Sequence, residues 1–409
     1  MWLYNLGISL YAGGIRLAAL WHGKARLWSE GRRNIFERME AAVRPSDRIV
    51  WVHAASLGEF EQARPIIERL RAEHPEYKIL LTFFSPSGYE IRKNYEGADY
   101  VFYLPADTPS NARRFLDIVH PEIAIFIKYE FWINLLSELR RRKVRSYIVS
   151  AIFRRNSVFF RPYGAMWRQA LETFDTLFVQ NVESKRLLSE IGFDNVVVAG
   201  DTRFDRVAQI AAAAQRVETI ERFRGGGRLF VAGSTWGPDE EIILPLVNAN
   251  PDVKFVIAPH EMDEGRIAHL MRDAKGGAVR YTQCDAATRF DDVQVLVLDT
   301  MGMLSSVYGS ATWAYVGGGF GVGIHNTLEA ATFGLPIAFG PNYGKFKEAR
   351  DMVSLGCAVS VRTAGELAAW FAPLRDDEET LRRASRTAKD YTARNQGATG
   401  IILRSIFNS

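Results

Sequence analysis

The chain has 409 residues, 47% hydrophobic and 24% charged, with a formal net charge of +4. That length exceeds one ordinary core and implies two domains, while the composition excludes a disordered or low-complexity protein. Cys284 and Cys357 lie in separate segments, which excludes a disulfide framework or a cysteine-based zinc site and fits a reducing compartment.

The first segment, MWLYNLGISLYAGGIRLAALW, is apolar from Trp2 to Trp21, about the length that crosses a bilayer. Arg16 and the Gly13-Gly14 pair weaken a spanning helix, because an arginine at mid-bilayer costs roughly 2.5–3.5 kcal/mol. No small-residue cleavage site follows, which disfavours a secretory signal. Trp2, Tyr4, Tyr11 and Trp21, with Lys24 and Arg26, suit a helix lying in the membrane interface. A helix buried against the protein is the alternative. Lys24, Arg26, Arg32 and Arg33 would keep the following body cytoplasmic.

From about residue 48, short apolar runs alternate with helix-like segments. Strands are predicted in RIVWVHA, YKILLTFF, DYVFYLP, IAIFIKYE, RSYIVSA, TLFVQN and NVVVAG. A second series begins near 228 with RLFVAGS, VKFVIAP, GAVRYTQ, QVLVLDT, TWAYVGG, PIAFG and CAVSV. This grammar predicts parallel sheets covered on both faces. Between the series, RVAQIAAAAQRVETIERFRGGG reads as a helix stopped by Gly225–Gly227. EETLRRASRTAKDYTARNQ reads as another helix, with GIILRSIF after a glycine. The expected fold class is α/β: two doubly wound, Rossmann-like domains facing a cleft.

In the stretch HAASLGEFEQARPIIERL, Ser56-x-x-Glu59 fits a capping box. The other reading is a catalytic carboxylate at the carboxyl end of a strand. Pro65 would kink a helix begun at Leu57, so a helix beginning near Pro65, with Glu59 in a loop, is expected. IKYEFW puts Glu130 at a second strand end, and GDTRFDR puts Arg203 just before the interdomain helix. A carboxylate there can take a proton from an attacking hydroxyl, and a guanidinium can stabilise a leaving phosphate. Pairing of Glu130 with Lys128, and of Arg203 with Asp201 or Asp205, is the structural alternative. LRRRKVRSYIVSAIFRRNSVFFRPYG, 139–164, interleaves cations with apolar residues. It reads as a helix end and buried strand, or as a surface for an anionic partner such as lipid headgroups. No nucleic-acid reader motif is present.

The strongest local signal is AYVGGGFGVGIHNTLEAATFGLPIAFGP, 314–341. A strand runs into glycines, and His325-Asn326-Thr327-Leu328-Glu329 opens a helix ending near Gly334. Such a turn lets phosphate approach backbone N–H groups, or merely makes a tight turn. The dinucleotide fingerprint is not met, because Val322 occupies its third position, and the P-loop pattern is absent. His325 lacks partners for a metal site. Glu329 either accepts from a ribose hydroxyl or complements the helix dipole. Gly233-Ser234-Thr235, Pro259-His260 and Asp299-Thr300, followed by Met301-Gly302-Met303, stand at other strand ends of the same half. Asp-x-Asp is absent, which argues against a metal-diphosphate clamp and suits a donor carrying one phosphate.

At these residues the chain resembles the 3-deoxy-D-manno-octulosonic acid (Kdo) transferases. The matching stretches are HAASLGE, YEFWINLL, GDTRFDR, DTMGMLSSVYGSA, GGGFGVGIHNTLEAA and GPNYGKFKEA, in that order. The resemblance implies the GT-B fold and inverting, metal-independent transfer of Kdo from CMP-Kdo to a lipid A precursor. It implies the cytoplasmic face of the inner membrane and no cofactor. Carried over by motif, the general base falls on Glu59, and the groups supporting the transition state on Glu130 and Arg203. CMP contacts fall on Pro259, His260, Met301, Gly302, Met303, Asn326, Thr327, Leu328 and Glu329. Many members have Met-Gly-Glu where this chain ends in Met303, Pro-Arg where it has Pro259-His260, and Lys where it has Arg203. The implied domains are a membrane-associated helix at 1–21, an acceptor domain at 22–205, a linker at 206–227, a CMP-sugar domain at 228–380, and C-terminal helices at 381–409 crossing back to the first domain. Arg154, Arg155 and Arg161 are expected to meet acceptor phosphates, and Phe159 and Phe160 its acyl chains. Other GT-B enzymes, a retaining transferase or a UDP-sugar epimerase, and a degenerate peripheral membrane adaptor are the alternatives.

Overall fold

Runs such as IVWV and IAIFI are apolar at every position, so a strand built from them must be covered on both faces. In the computed structural model, which describes residues 1–408, they form the middle of a seven-stranded parallel sheet. Its strands are β1 (Ile49–Ala54), β2 (Lys78–Phe83), β3 (Tyr100–Tyr103), β4 (Ile123–Ile127), β5 (Arg145–Ala151), β6 (Thr176–Val179) and β7 (Val196–Val198). They lie in the order β3-β2-β1-β4-β5-β6-β7. The second sheet contains β8 (Leu229–Thr235), β9 (Lys254–Pro259), β10 (Ala278–Arg280), β11 (Val295–Val297), β12 (Trp313–Val316), β13 (Ile337–Phe339) and β14 (Ala358–Ser360). Its order is β10-β11-β9-β8-β12-β13-β14, again parallel. Winding reverses between β1 and β4 in one sheet and between β8 and β12 in the other. These are the topological switch points, where open α/β sheets leave a crevice at the strand carboxyl ends.

The molecule divides into two units, residues 1–206 with 396–409, and residues 207–395. In the first, alternate residues of β1 enter different cores. Trp51 packs with Phe115 and Phe126 on one face, while Val50 and Val52 join Ile66, Ile67 and Leu70 of the Leu57–Glu73 helix on the other. Ile402, Leu403 and Ile406 of the Ala398–Phe407 helix complete the second core. Asp205 caps that helix, accepting from Gly397 N at 2.5 Å, Thr399 N at 2.7 Å and Thr399 Oγ1 at 2.6 Å.

The Trp2–Ala18, Gly23–Gly31 and Ile35–Ala42 helices precede the first sheet. Among the described residues no helix is long and apolar enough to cross a membrane. One side of the first helix is held by the protein: Tyr4 Oη donates to Asp107 Oδ2 at 2.7 Å, and Asn134 Nδ2 donates to Asn5 Oδ1 at 2.9 Å. Its other side leaves Leu3, Leu6, Leu10 and Leu17 exposed.

Three local expectations are corrected. The helix carrying Glu59 begins at Leu57, and Pro65 lies inside it. An interior proline costs about 3 kcal/mol, but Phe60, Ile66, Ile67 and Leu70 are fully buried, each worth about 1.5–3 kcal/mol. Packing therefore overrides the breaker. The alanine-rich segment is also not one helix: Thr202–Ala213 and Glu218–Arg224 are separate, and Arg203 sits inside the former rather than before it. Finally, Phe159 is a core residue packed on Phe131 and Phe153, so its ring is not available to acyl chains.

Candidate functional site

At the switch point of the first sheet, β1 runs through His53 and Ala54 into Ser56, the N-cap of the Leu57–Glu73 helix. Glu59 closes a capping box, its Oε2 accepting from Ser56 N at 3.1 Å. Both readings of the motif are therefore compatible: the carboxylate caps the helix and stands at the crevice. Burial, and after it the charge of Glu130, hold the Glu59 carboxyl above its ordinary value, while Lys128 and His53 oppose the shift.

Glu130 leaves β4 on the neighbouring strand end. Its Oε2 accepts from Trp132 Nε1 at 2.7 Å and meets His53 Nε2 at 3.1 Å. His53 Nδ1 meets Thr82 Oγ1 at 2.8 Å and the Thr82 carbonyl at 3.2 Å, and Thr82 Oγ1 accepts from Trp51 Nε1 at 2.8 Å. A buried chain from Trp51 to Glu130 fixes the carboxylate.

Arg203 is held by Asp201, with Nη2 to Oδ2 at 2.8 Å and Nε to Oδ2 at 3.0 Å. Burial alone would raise the Asp201 carboxyl, but Arg203 and Gln62 hold it below its ordinary value. Gln62 Nε2 donates to Asp201 Oδ1 at 2.9 Å, and it lies on the same helix as Glu59. That helix thus positions both candidates. Burial raises the Tyr129 pKa, and the charge of Arg154 opposes that rise. Arg155 instead pairs with Glu190 at 3.1 Å, and Arg161 is exposed.

In the second unit, Thr235 and Trp236 leave β8 beside the glycine turn that leaves β12. A Cβ on Gly317 would lie 2.2 Å from Ser234 O, and Gly318 has φ +90°. Fully buried Asp239 holds the turn, accepting from Gly318 N at 2.9 Å, Trp236 N at 2.9 Å and Tyr315 Oη at 2.8 Å. Trp236, His260 and His325 form a ring stack, with centroids 4.8 Å apart for Trp236–His260 and 4.3 Å for His260–His325. Trp236 Nε1 donates to His325 Nε2 at 3.3 Å. Burial, then His260, lower the His325 pKa. With Phe320 and Val322 these rings line a cavity of about 480 Å³.

Beside it, Glu329 accepts from Ser305 Oγ at 2.9 Å and Asn326 Nδ2 at 3.0 Å. The Leu328–Ala331 helix it belongs to is a single turn. Leu328 is fully buried, Thr327 Oγ1 is buried with no partner, and Pro259 ends β9. Met301 is 77% exposed, Gly302 has φ +85°, and Met303 Sδ accepts from Thr300 Oγ1 at 3.2 Å. Among the described residues no group of three or more His, Cys, Asp or Glu could hold a metal ion. Sequence reasoning did not single out His53, Trp132, Gln62, Trp236 or Asp239. A histidine inside the apolar run RIVWVHA was the one available signal.

Two doubly wound parallel units with candidate residues at their switch points define the GT-B class. Solved structures agree on the fold. A UDP-GlcNAc 2-epimerase from Neisseria meningitidis, determined bound to UDP-GlcNAc, superposes with TM-score 0.61 over 88% of this chain and 100% of its own, at 16% identity. MurG from Acinetobacter baumannii gives 0.57 over 89% and 100%, at 12% identity. Residues 32–206 match the family model described as 3-Deoxy-D-manno-octulosonic-acid transferase (kdotransferase). The chain is 26% identical over 378 residues to the 3-deoxy-D-manno-octulosonic acid transferase of Haemophilus influenzae, spanning 88% of this chain and 86% of that protein. The corresponding protein of Bordetella pertussis is 28% identical over 373 residues, spanning 87% and 86%. The chain is a relative of the Kdo transferases and an enzyme of the glycosyltransferase class, and its first unit carries that family's domain.

Proposed function

We propose that this enzyme transfers Kdo from CMP-Kdo to the lipid A precursor lipid IVA, with inversion, in lipopolysaccharide synthesis at the cytoplasmic face of the inner membrane. Glu59 takes the proton from the acceptor's primary hydroxyl as that oxygen attacks the anomeric carbon of Kdo. The bond to CMP breaks from the opposite face, and the phosphate of CMP leaves with the electron pair. Arg203 and Glu130 support the charge distribution of the transition state. Pro259, His260, Met301, Gly302, Met303, Asn326, Thr327 and Glu329 hold CMP, Leu328 offering backbone alone. Arg154 and Arg161 remain candidates for acceptor phosphates, and Arg155 would first have to leave Glu190.

The observation that carries this reading is Glu59: a half-buried carboxylate at a strand carboxyl end, raised in pKa beside a second carboxylate. A general base needs that shift toward the working pH. The test incubates CMP-Kdo and tetraacylated lipid A precursor with the protein and weighs the products, alongside CMP and UDP binding. One or more Kdo masses added to the lipid, with CMP preferred over UDP, is the expected result. UDP preference without Kdo transfer would overturn it.

A further inference from the structure

Residues 1–44 hold seven Lys and Arg against three Glu, a net charge of +4, which is the net charge of the whole chain. Part of that charge gathers around one cavity. It has a volume of about 430 Å³, lies among the first three helices and the Pro105–Ala106 loop, and is lined by Arg16, Arg32 and Arg33 with Ser29, Asn34 and Asn111. The one carboxylate on its wall, Glu37, pairs with Arg114 at 3.2 Å. Arg16 and Arg33 are exposed and have no ion-pair partner among the described residues.

Arg32 is the informative member. It also lacks a carboxylate partner among the described residues. Its Nε, Nη1 and Nη2 donate to the carbonyls of Leu104 at 2.8 Å, Trp28 at 3.1 Å and Phe84 at 2.8 Å. The guanidinium lies 3.9 Å from the centre of the Trp28 ring. Burial pulls it down to about 9, which leaves it cationic at neutral pH. A half-buried charge without a counter-ion is costly, and an anion in the cavity would offset that cost. Guanidinium groups match the oxygens of phosphate in a forked geometry. The helix that contributes Ala12 and Arg16 to the wall exposes Leu10 and Leu17, and the turn after it exposes Leu20 and Trp21.

We propose that this cavity receives the phosphate of an anionic phospholipid headgroup, while the exposed leucines and tryptophans of the first helix and its following turn rest among the acyl chains. The assignment deepens the membrane-surface part of the proposed function and is independent of the donor chemistry. Full-length protein is sedimented with phosphatidylcholine vesicles, with and without about one-third phosphatidylglycerol. Arg16→Glu with Arg33→Glu is compared with Lys24→Glu with Arg26→Glu, an equal change of charge outside the cavity, and CMP affinity is measured for each.

The cavity variant should lose at least about tenfold more vesicle binding than the control, because reversals away from a site act only through screened surface charge. CMP affinity should stay the same in both. Equal losses in the two variants would overturn the cavity site while leaving membrane binding intact. Indifference of the unaltered protein to phosphatidylglycerol would overturn both the site and the membrane-surface reading. Displacement by millimolar inorganic phosphate at constant ionic strength would make free phosphate the ligand and overturn the lipid assignment.

Discussion

Glu59 and Glu130 stand side by side with unlike supports. Glu130 is fixed by Trp132 and His53, whereas Glu59 has a single backbone N–H from Ser56 within 3.1 Å. Burial, and after it the neighbouring Glu130 charge, raise the pKa of the less supported Glu59. Glu59→Gln should keep the fold, since the amide oxygen can still accept from Ser56 N, and lower kcat by about 10²–10⁴-fold; turnover and thermal melts read the two effects. Glu130→Gln removes the like charge, so the acid limb of the kcat/KM profile should move to lower pH. The same shift affects stability. A carboxyl raised in the folded state contributes stability below its unfolded pKa and loses it as pH rises through the folded value. Glu59→Gln should therefore gain stability relative to the parent at neutral pH compared with pH about 4, a difference visible in urea midpoints.

Among the elements, Asp239 connects three pieces of the second unit: the turn after β8, β12, and the glycine loop. Asp239→Ala leaves Gly318 N, Trp236 N and Tyr315 Oη without their acceptor. The expected cost is about 2–4 kcal/mol, with weaker CMP binding, checked by denaturation and calorimetry. That connection was not legible from sequence, because Asp239 reads there as one acid in the run PDEE. The strands were legible: all fourteen apolar runs are strands, since continuous Val, Ile and Phe bounded by turn residues leave few alternatives. Helix ends were less so. Pro65 pointed to a helix start that tertiary burial of Phe60 and Ile66 overrides, and the segment at 214–217 interrupts an otherwise helical alanine run. Of the candidate residues, the order along the chain and their strand-end positions were readable, because switch points follow from strand order. Their side-chain partners, His53 for Glu130 and Gln62 for Asp201, come from residues distant in sequence and carried no local signal.

For the molecule as a whole, the first unit is built from both ends of the chain. Ile402, Leu403 and Ile406 are buried against β1 and the Glu59 helix. Ending the chain at Asn395 should remove about 1.5–3 kcal/mol for each of the three, together with the cap at Asp205. Hydrogen exchange should then show loss of protection in residues 49–83 while CMP still protects residues 234–239 and 317–329.

That closing helix also sets an order of events at the ribosome. Domains tend to fold as they are synthesised, at about 5–20 residues per second, and the residues that seal the underside of β1 are made after the whole of the second unit. The second unit has all its own residues before the first can finish. A nascent chain therefore carries the floor beneath Glu59 uncovered until the Ala398–Phe407 helix emerges.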